Sequence, residues 1–184
     1  MSEIGAPAIG HRGSPAKYLS IASLIFAAAL VAFERGYREL EVQFFGLLIR
    51  AVSTQGVYVA GHRETVYFGL GGDSALGLRM TPECSSVFML LPLLLVSAVL
   101  LWLGPRSVPR LLTSFAVGGL AIILVNQARL FGIAGLVDRF GTDEGYYWGH
   151  TLLGSLVSVI GGAIALVLFV RLATRRPRAE RARP

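Results

Sequence analysis

Three stretches of this 184-residue chain, 84–105, 111–128 and 145–170, run without an acidic, lysine or arginine side chain, and His150 is the one histidine inside them. The hydrocarbon core of a bilayer is about 30 Å thick and takes about 20 apolar residues as a helix. That core offers no water to satisfy backbone N–H and C=O groups, so such runs fold as helices. A fourth run, 18–33, is slightly short, but Lys17 can extend its ammonium to one headgroup layer and Glu34 can sit at the other. With 54% hydrophobic and 15% charged residues, and a mean hydropathy of +0.63, the chain lies outside the range of ordinary soluble domains. The sequence therefore predicts an all-α integral membrane protein with about four transmembrane helices, at 18–33, 84–104, 110–131 and 147–170. They form one membrane-embedded domain over 17–172, between a disordered cytoplasmic leader at 1–16 and a basic cytoplasmic tail at 173–184.

After the first run the periodicity changes. Leu40, Phe44, Leu47, Leu48 and Ala51 recur at the spacing of one helical face, with Glu41, Gln43 and Arg50 between them, which predicts an amphipathic helix lying on the outer surface. Short β-rich runs follow at 57–60, 65–70 and 75–80, separated by Gly61-His62 and Gly71-Gly72-Asp73. They predict a small meander that is too small to stand alone and rests on the membrane helices. Alternating the four spans puts ten Lys and Arg with two acids on one side, and seven Lys and Arg with nine acids on the other. The basic side is the cytoplasmic one, so both termini are inside and the 34–83 segment is outside. The net charge of +6 is thus a flanking pattern of arginines around apolar runs, next to anionic lipid, and no nucleic-acid partner follows from it.

A single cysteine excludes an internal disulfide and any CxxC-type metal or redox site, and no cofactor or metal is expected. It leaves one thiol, Cys84, at the entrance to the second span. With Thr81 as helix cap and Pro82 at the first helical position, Cys84 falls in the first turn, where free N–H groups and the helix dipole favour a thiolate. A thiol nucleophile also needs a proton-transfer partner and a cationic or N–H-rich group where the oxyanion develops. His150 and Arg129 supply these near the outer ends of the fourth and third spans. Each has a plainer reading: Cys84 as a packing residue, His150 as part of an aromatic belt with Tyr146, Tyr147 and Trp148, Arg129 as a snorkelling side chain. Glu83, Asn126 and Tyr147 stand beside the three as candidate substrate-binding residues, and Glu83 or Asp143 could orient His150. His11 and His62 fall outside this group.

Thr81-Pro82-Glu83-Cys84-Ser85-Ser86 opening one span, Asn126-Gln127-Ala128-Arg129-Leu130 closing the next and Gly149-His150 opening the last together resemble the exosortase/archaeosortase family, over roughly 35–162. The resemblance implies a membrane-embedded, sortase-like cysteine protease/transpeptidase with a Cys84–His150–Arg129 triad. Its partners would be membrane-anchored substrate proteins with a C-terminal sorting signal, and its place the outer face of a prokaryotic plasma membrane. Ser86 stands where members often carry glycine, and many bacterial members have about eight spans. Two other classes compete: a non-catalytic membrane subunit or scaffold of a surface-polymer assembly system, and a small transporter. Against the transporter, the titratable groups gather at one surface instead of the midplane.

Overall fold

The computed structural model describes residues 15–72, 75–103 and 108–175. The expected leader up to residue 14, the Asp73 turn and the tail beyond residue 175 lie outside the described residues.

The first apolar run forms α1, Pro15–Ala32, and the chain bends by 74° into α2, Glu34–Val52. The bend falls where composition changes, from a run without charge after Lys17 to the Glu34-Arg35-Gly36-Tyr37-Arg38-Glu39 segment. A three-stranded antiparallel sheet follows in the order β1 (Tyr58–Ala60), β2 (Thr65–Phe68), β3 (Leu76–Arg79). The meander expected from the alternating runs is present, with Tyr58 opposite Tyr67 and Val66 opposite Leu78. Glu64, at φ +50, turns the chain into β2, and its buried carboxylate collects Arg35 at 3.2 Å, Arg38 at 3.3 Å and Arg79 at 3.8 Å. Three further helical stretches complete the fold: α3, Val87–Leu103; α4, Val108–Phe140; and a continuous stretch made of α5 (Thr142–Tyr146), an eight-residue π-helix (Tyr147–Gly154) and α6 (Ser155–Thr174).

Helices α1 and α3 run antiparallel. Ser20 and Ser23 hydroxyls donate to the carbonyls of Ala98 and Leu94, pairing α1 with α3. Small residues let α4 approach both partners: Gly118 lies against Leu93 of α3 and Phe169 of α6, and Gly161 against Val125. One apolar cluster, with Leu90, Leu93, Ile122, Ala165 and Phe169, fills the space between α3, α4 and α6. A second, with Val42, Phe45, Val66, Phe68, Met80, Cys84, Leu130 and Ala134, joins the sheet to α2 and α4. The sheet rests on these helices, as its size requires. Ile25, Leu95, Leu120, Val159 and Ile164 are half-exposed or more on the outside of the bundle, the surface that acyl chains cover.

Four features add to or depart from the expectations. The apolar stripe of α2, the helix expected on the outer surface, is exposed, with Leu40 and Leu47 at 64% and 60%, whereas Arg38, Glu41, Val42, Phe45, Gly46 and Ile49 face inward. The sheet and the Cys84 turn give Arg38 and Glu41 buried partners. Secondly, α4 does not end near residue 131. Leu130, Ile133, Ala134 and Val137 continue the inward-facing period past Arg129, and charge returns only at Asp138 and Arg139. Thirdly, the last helix starts at Thr142, after Gly141 at φ +83, and runs to Thr174. Fourthly, α3 starts at Val87, beyond Cys84. Its 17 residues, about 26 Å at roughly 1.5 Å per residue, are fewer than expected. The two 33-residue helices, Val108–Phe140 and Thr142–Thr174, are each long and apolar enough to cross a membrane, and the bent α1–α2 pair is a third candidate.

Candidate active site

Cys84 closes a single 3-10 turn, Pro82–Cys84, in which its N–H donates to the Thr81 carbonyl at 2.9 Å. Ser85 is then extended, at φ −80 and ψ 141, before α3 begins. The thiol is therefore not in the first turn of a long helix, and Thr81 makes no side-chain cap: its hydroxyl donates instead to Cys84 Sγ at 3.5 Å. The reason lies in α2. The Glu41 carboxylate accepts the Ser86 N–H at 3.1 Å on each oxygen and the Ser85 hydroxyl at 2.7 Å, holding that backbone out of helical register.

The cation beside the thiol is Arg129. Its Nη2 donates to Cys84 Sγ at 3.8 Å and its Nη1 to the Glu83 carbonyl at 3.2 Å. The side chain is buried, and Nε has no hydrogen-bond partner. Space for the guanidinium comes from Gly154, where an added Cβ would lie 2.8 Å from Arg129 Nε. Gly145, Gly149 and Gly154 all pack against α4, with Cβ positions 2.6 Å from Val137 Cα and 3.1 Å from Ile133 Cα for the first two. Their spacing of four and then five residues is the step of a π-helix, a geometry common at functional sites.

His150 sits inside that π segment, its ring stacked on Tyr146 at 4.9 Å and 15°. Its Nε2 is buried and unpartnered, within electrostatic reach of Arg129 and Glu83. Tyr146 in turn lies within reach of Cys84, Arg129 and Glu83. Cys84, Arg129 and His150 are thus gathered at one end of the bundle, with Cys84 and Arg129 in direct contact. Arg129 Nε and His150 Nε2 are buried polar atoms without hydrogen-bond partners, as are atoms of Glu34, Arg38, Asn126 and Gln127 among the described residues. What sets the first two apart is that they lie beside the thiol turn, where a substrate could complete their hydrogen bonds.

The other three candidates differ in place. Glu83 has an exposed side chain, and its own backbone N–H, then the Thr81 hydroxyl, hold its carboxyl below the ordinary range. Asn126 has no exposed surface, and its amide donates to Glu41 Oε1 at 3.1 Å, so it belongs to the buried polar network. Tyr147 is exposed and packs edge-on against Trp148 at 5.8 Å.

Glu41 was not singled out by sequence reasoning, because a glutamate within an amphipathic pattern reads as part of a solvated face. The three groups that donate to it tie α2, the Cys84 turn and α4 together, and the Tyr37 hydroxyl adds a contact to Ser86 Oγ at 2.8 Å. Glu41→Ala is expected to lower stability by about 1–3 kcal/mol, since it leaves the Ser86 N–H and the Asn126 amide buried without acceptors. Glu41→Gln should lose less, because one carboxamide oxygen remains to accept. Thermal unfolding of the two purified variants in detergent checks this order; equal midpoints would show that the network adds little.

No curated protein and no solved structure matches the chain. A family model described as "Transmembrane exosortase (Exosortase_EpsH)" matches residues 55–170, a stretch that holds the sheet, Cys84, Arg129 and His150 and leaves Glu41 outside. Since this match covers more than half of the 184 residues, the chain belongs to the transmembrane exosortase family, membrane proteins connected with protein sorting.

Proposed function

We propose that this protein is a membrane cysteine protease/transpeptidase that cleaves C-terminal sorting signals of exported proteins. The observation that carries the reading is the arginine–cysteine pair: a buried guanidinium donating to Cys84 Sγ while its Nε stays free, with His150 Nε2 also free nearby. In this reading the Cys84 thiolate attacks the carbonyl carbon of a bond just outside the substrate's own membrane helix, and Arg129 stabilises the tetrahedral oxyanion. The C–N bond breaks, the leaving amine takes a proton from His150, and a thioester remains on Cys84. Water or an incoming amine, deprotonated by His150, then attacks the thioester and frees the thiolate. Enzyme and substrate helix share two dimensions, which fixes the depth of the scissile bond.

The topology proposed with it has α1, α3, α4 and α6 as four spans, both termini cytoplasmic, and the site on the outer face of a prokaryotic plasma membrane. α1 and α3 fit because they pair antiparallel, and α3 needs only slight thinning of the bilayer. A cysteine placed at exposed Thr54 in a Cys84→Ser background should react with a membrane-impermeant reagent in intact cells, and one at Ser107 should not. The reverse pattern would overturn the orientation.

The chemistry is tested by trapping. In a His150→Ala variant both steps should slow on an amide, because His150 protonates the leaving amine as well as deprotonating the resolving nucleophile. The trap therefore uses a substrate whose scissile amide is replaced by a thioester, whose thiolate leaves without a proton. A hydroxylamine-sensitive adduct on Cys84 should then accumulate in His150→Ala as a gel shift, and its absence would sink the acyl-enzyme. A second reading, a non-catalytic subunit or scaffold, is favoured by one fact: Cys84 is 3% exposed within an apolar cluster.

A further inference from the structure

β3 is one of the two edge strands of the sheet, paired with β2 on one side only. The Met80 N–H donates to the Glu64 carbonyl at 2.7 Å, which sets the phase of the ladder. Main-chain groups of antiparallel strands alternate between partner and free edge, so Leu76 and Leu78 turn theirs to β2. Gly77 and Arg79, both exposed, present theirs outward.

That edge borders a cleft of about 370 Å³, with Leu76, Gly77, Leu78 and Arg79 on the strand side and Val137 with Thr142 opposite. Thr81 and Tyr146 also line it, and they are the side chains that touch Cys84 Sγ and the His150 ring. The cleft is thus continuous with the candidate active site. The strand is four residues long and carries one charge, Arg79, which is drawn to Glu64 at 3.8 Å, and no proline interrupts its run of N–H groups.

We propose that the substrate segment just before the scissile bond binds as an added strand along β3. This rests on the cysteine-protease reading and names how that site takes its substrate. The direction follows from the chain path. β3 runs from Leu76 towards Cys84, and a substrate whose membrane helix follows the scissile bond approaches the thiol from outside in the same sense, so the added strand is parallel. The substrate residue opposite Leu78 then donates its N–H to the Gly77 carbonyl and its carbonyl accepts the Arg79 N–H. Gly77 carries no side chain to hold a second strand away. Every second substrate side chain points to the apolar wall of Leu76, Leu78 and Val137. Main-chain bonds supply affinity, and the alternate side chains supply the choice of motif.

The test uses the full-length protein with an exported protein whose tail is lost only when Cys84 is present. In a Cys84→Ala background, Arg79→Cys is paired with single cysteines scanned through the eight substrate positions before the cleavage point, and disulfide formation is read on gels. Cross-linking at alternate positions is expected; a flat profile, or none at any position, overturns the added strand. Independently, Arg79→Pro removes an edge N–H that β2 does not use, and processing should fall about ten-fold relative to Arg79→Ala, which loses the same ion pair to Glu64 but keeps that N–H. Undiminished processing by Arg79→Pro also overturns it. If instead Cys84→Ala cells lose the same tails as wild type, the protease reading itself fails, an outcome distinct from both.

Discussion

Cells carrying Cys84→Ala are expected to keep, on every substrate, the C-terminal tails that wild-type cells remove, while the variant itself accumulates in the membrane at wild-type level. The two halves of this result have different causes. Without the thiol there is no nucleophile to form the acyl intermediate, and neither Arg129 nor His150 can take its place, so the loss should be complete and not graded. The fold, by contrast, loses one small group. Cys84 is 3% exposed and packs with Val66, Phe68, Met80 and Leu130, so removing Sγ leaves a cavity smaller than one methyl-sized step in a leucine series, costing about 1 kcal/mol. Arg129 keeps its bond to the Glu83 carbonyl, and the guanidinium stays in place. Mass spectrometry of C-terminal peptides from the outer-surface proteome, with an immunoblot for the variant, measures both. Unchanged tails in these cells would transfer the argument to the scaffold reading.

What the sequence made legible follows from how local its causes are. Charge-free runs report directly on bilayer burial, and the alternation at 57–60, 65–70 and 75–80 reports directly on strands, so both were readable without knowing any partner. The inward side of α2 was not. Period marks the apolar stripe, which a helix on the outer surface leaves exposed, but it does not say which polar side chains find buried partners. Beside a membrane the Leu40–Leu47 stripe can face lipid, and Arg38 and Glu41 can be drawn inward by partners on other elements. Ser85 and Asn126 are 44 and 85 residues from Glu41, which is why no local pattern announced the carboxylate.

The same reasoning explains the ends of elements around the thiol. Thr81-Pro82 is a sound start for a helix, and a turn does begin there, but Glu41 draws the Ser86 N–H aside and α3 restarts at Val87. Arg129 looked like the end of a span because a charge follows an apolar run. The structure shows it within a helix that continues for eleven more residues to Phe140, about 16 Å at roughly 1.5 Å each. One signal did lie in the sequence: the Gly145, Gly149, Gly154 spacing, whose extra residue is the π step that brings His150 to its place and clears room for Arg129.

Arg129→Lys is expected to process substrate about 10²–10³-fold more slowly than wild type, although it keeps the positive charge. The guanidinium makes two contacts at once, Nη1 to the Glu83 carbonyl and Nη2 to Cys84 Sγ, and leaves Nε without a partner, which the proposed mechanism assigns to the developing oxyanion. An ammonium is a compact point charge on a flexible stem, with no planar fork to span the carbonyl, the sulfur and a third acceptor. Gly154 shapes the cavity to the guanidinium, so Gly154→Val should give a loss of the same order by displacing Arg129 without touching its charge. Initial rates of tail removal in membranes normalised for enzyme amount decide the matter, and thermal midpoints show whether either variant has lost its fold. A Lys variant at near wild-type rate would reduce Arg129 to a structural tie between α4 and the Cys84 turn. A slow Lys variant with an unchanged midpoint, matched by Gly154→Val, would place the geometry of the guanidinium, and not its charge alone, in the chemical step.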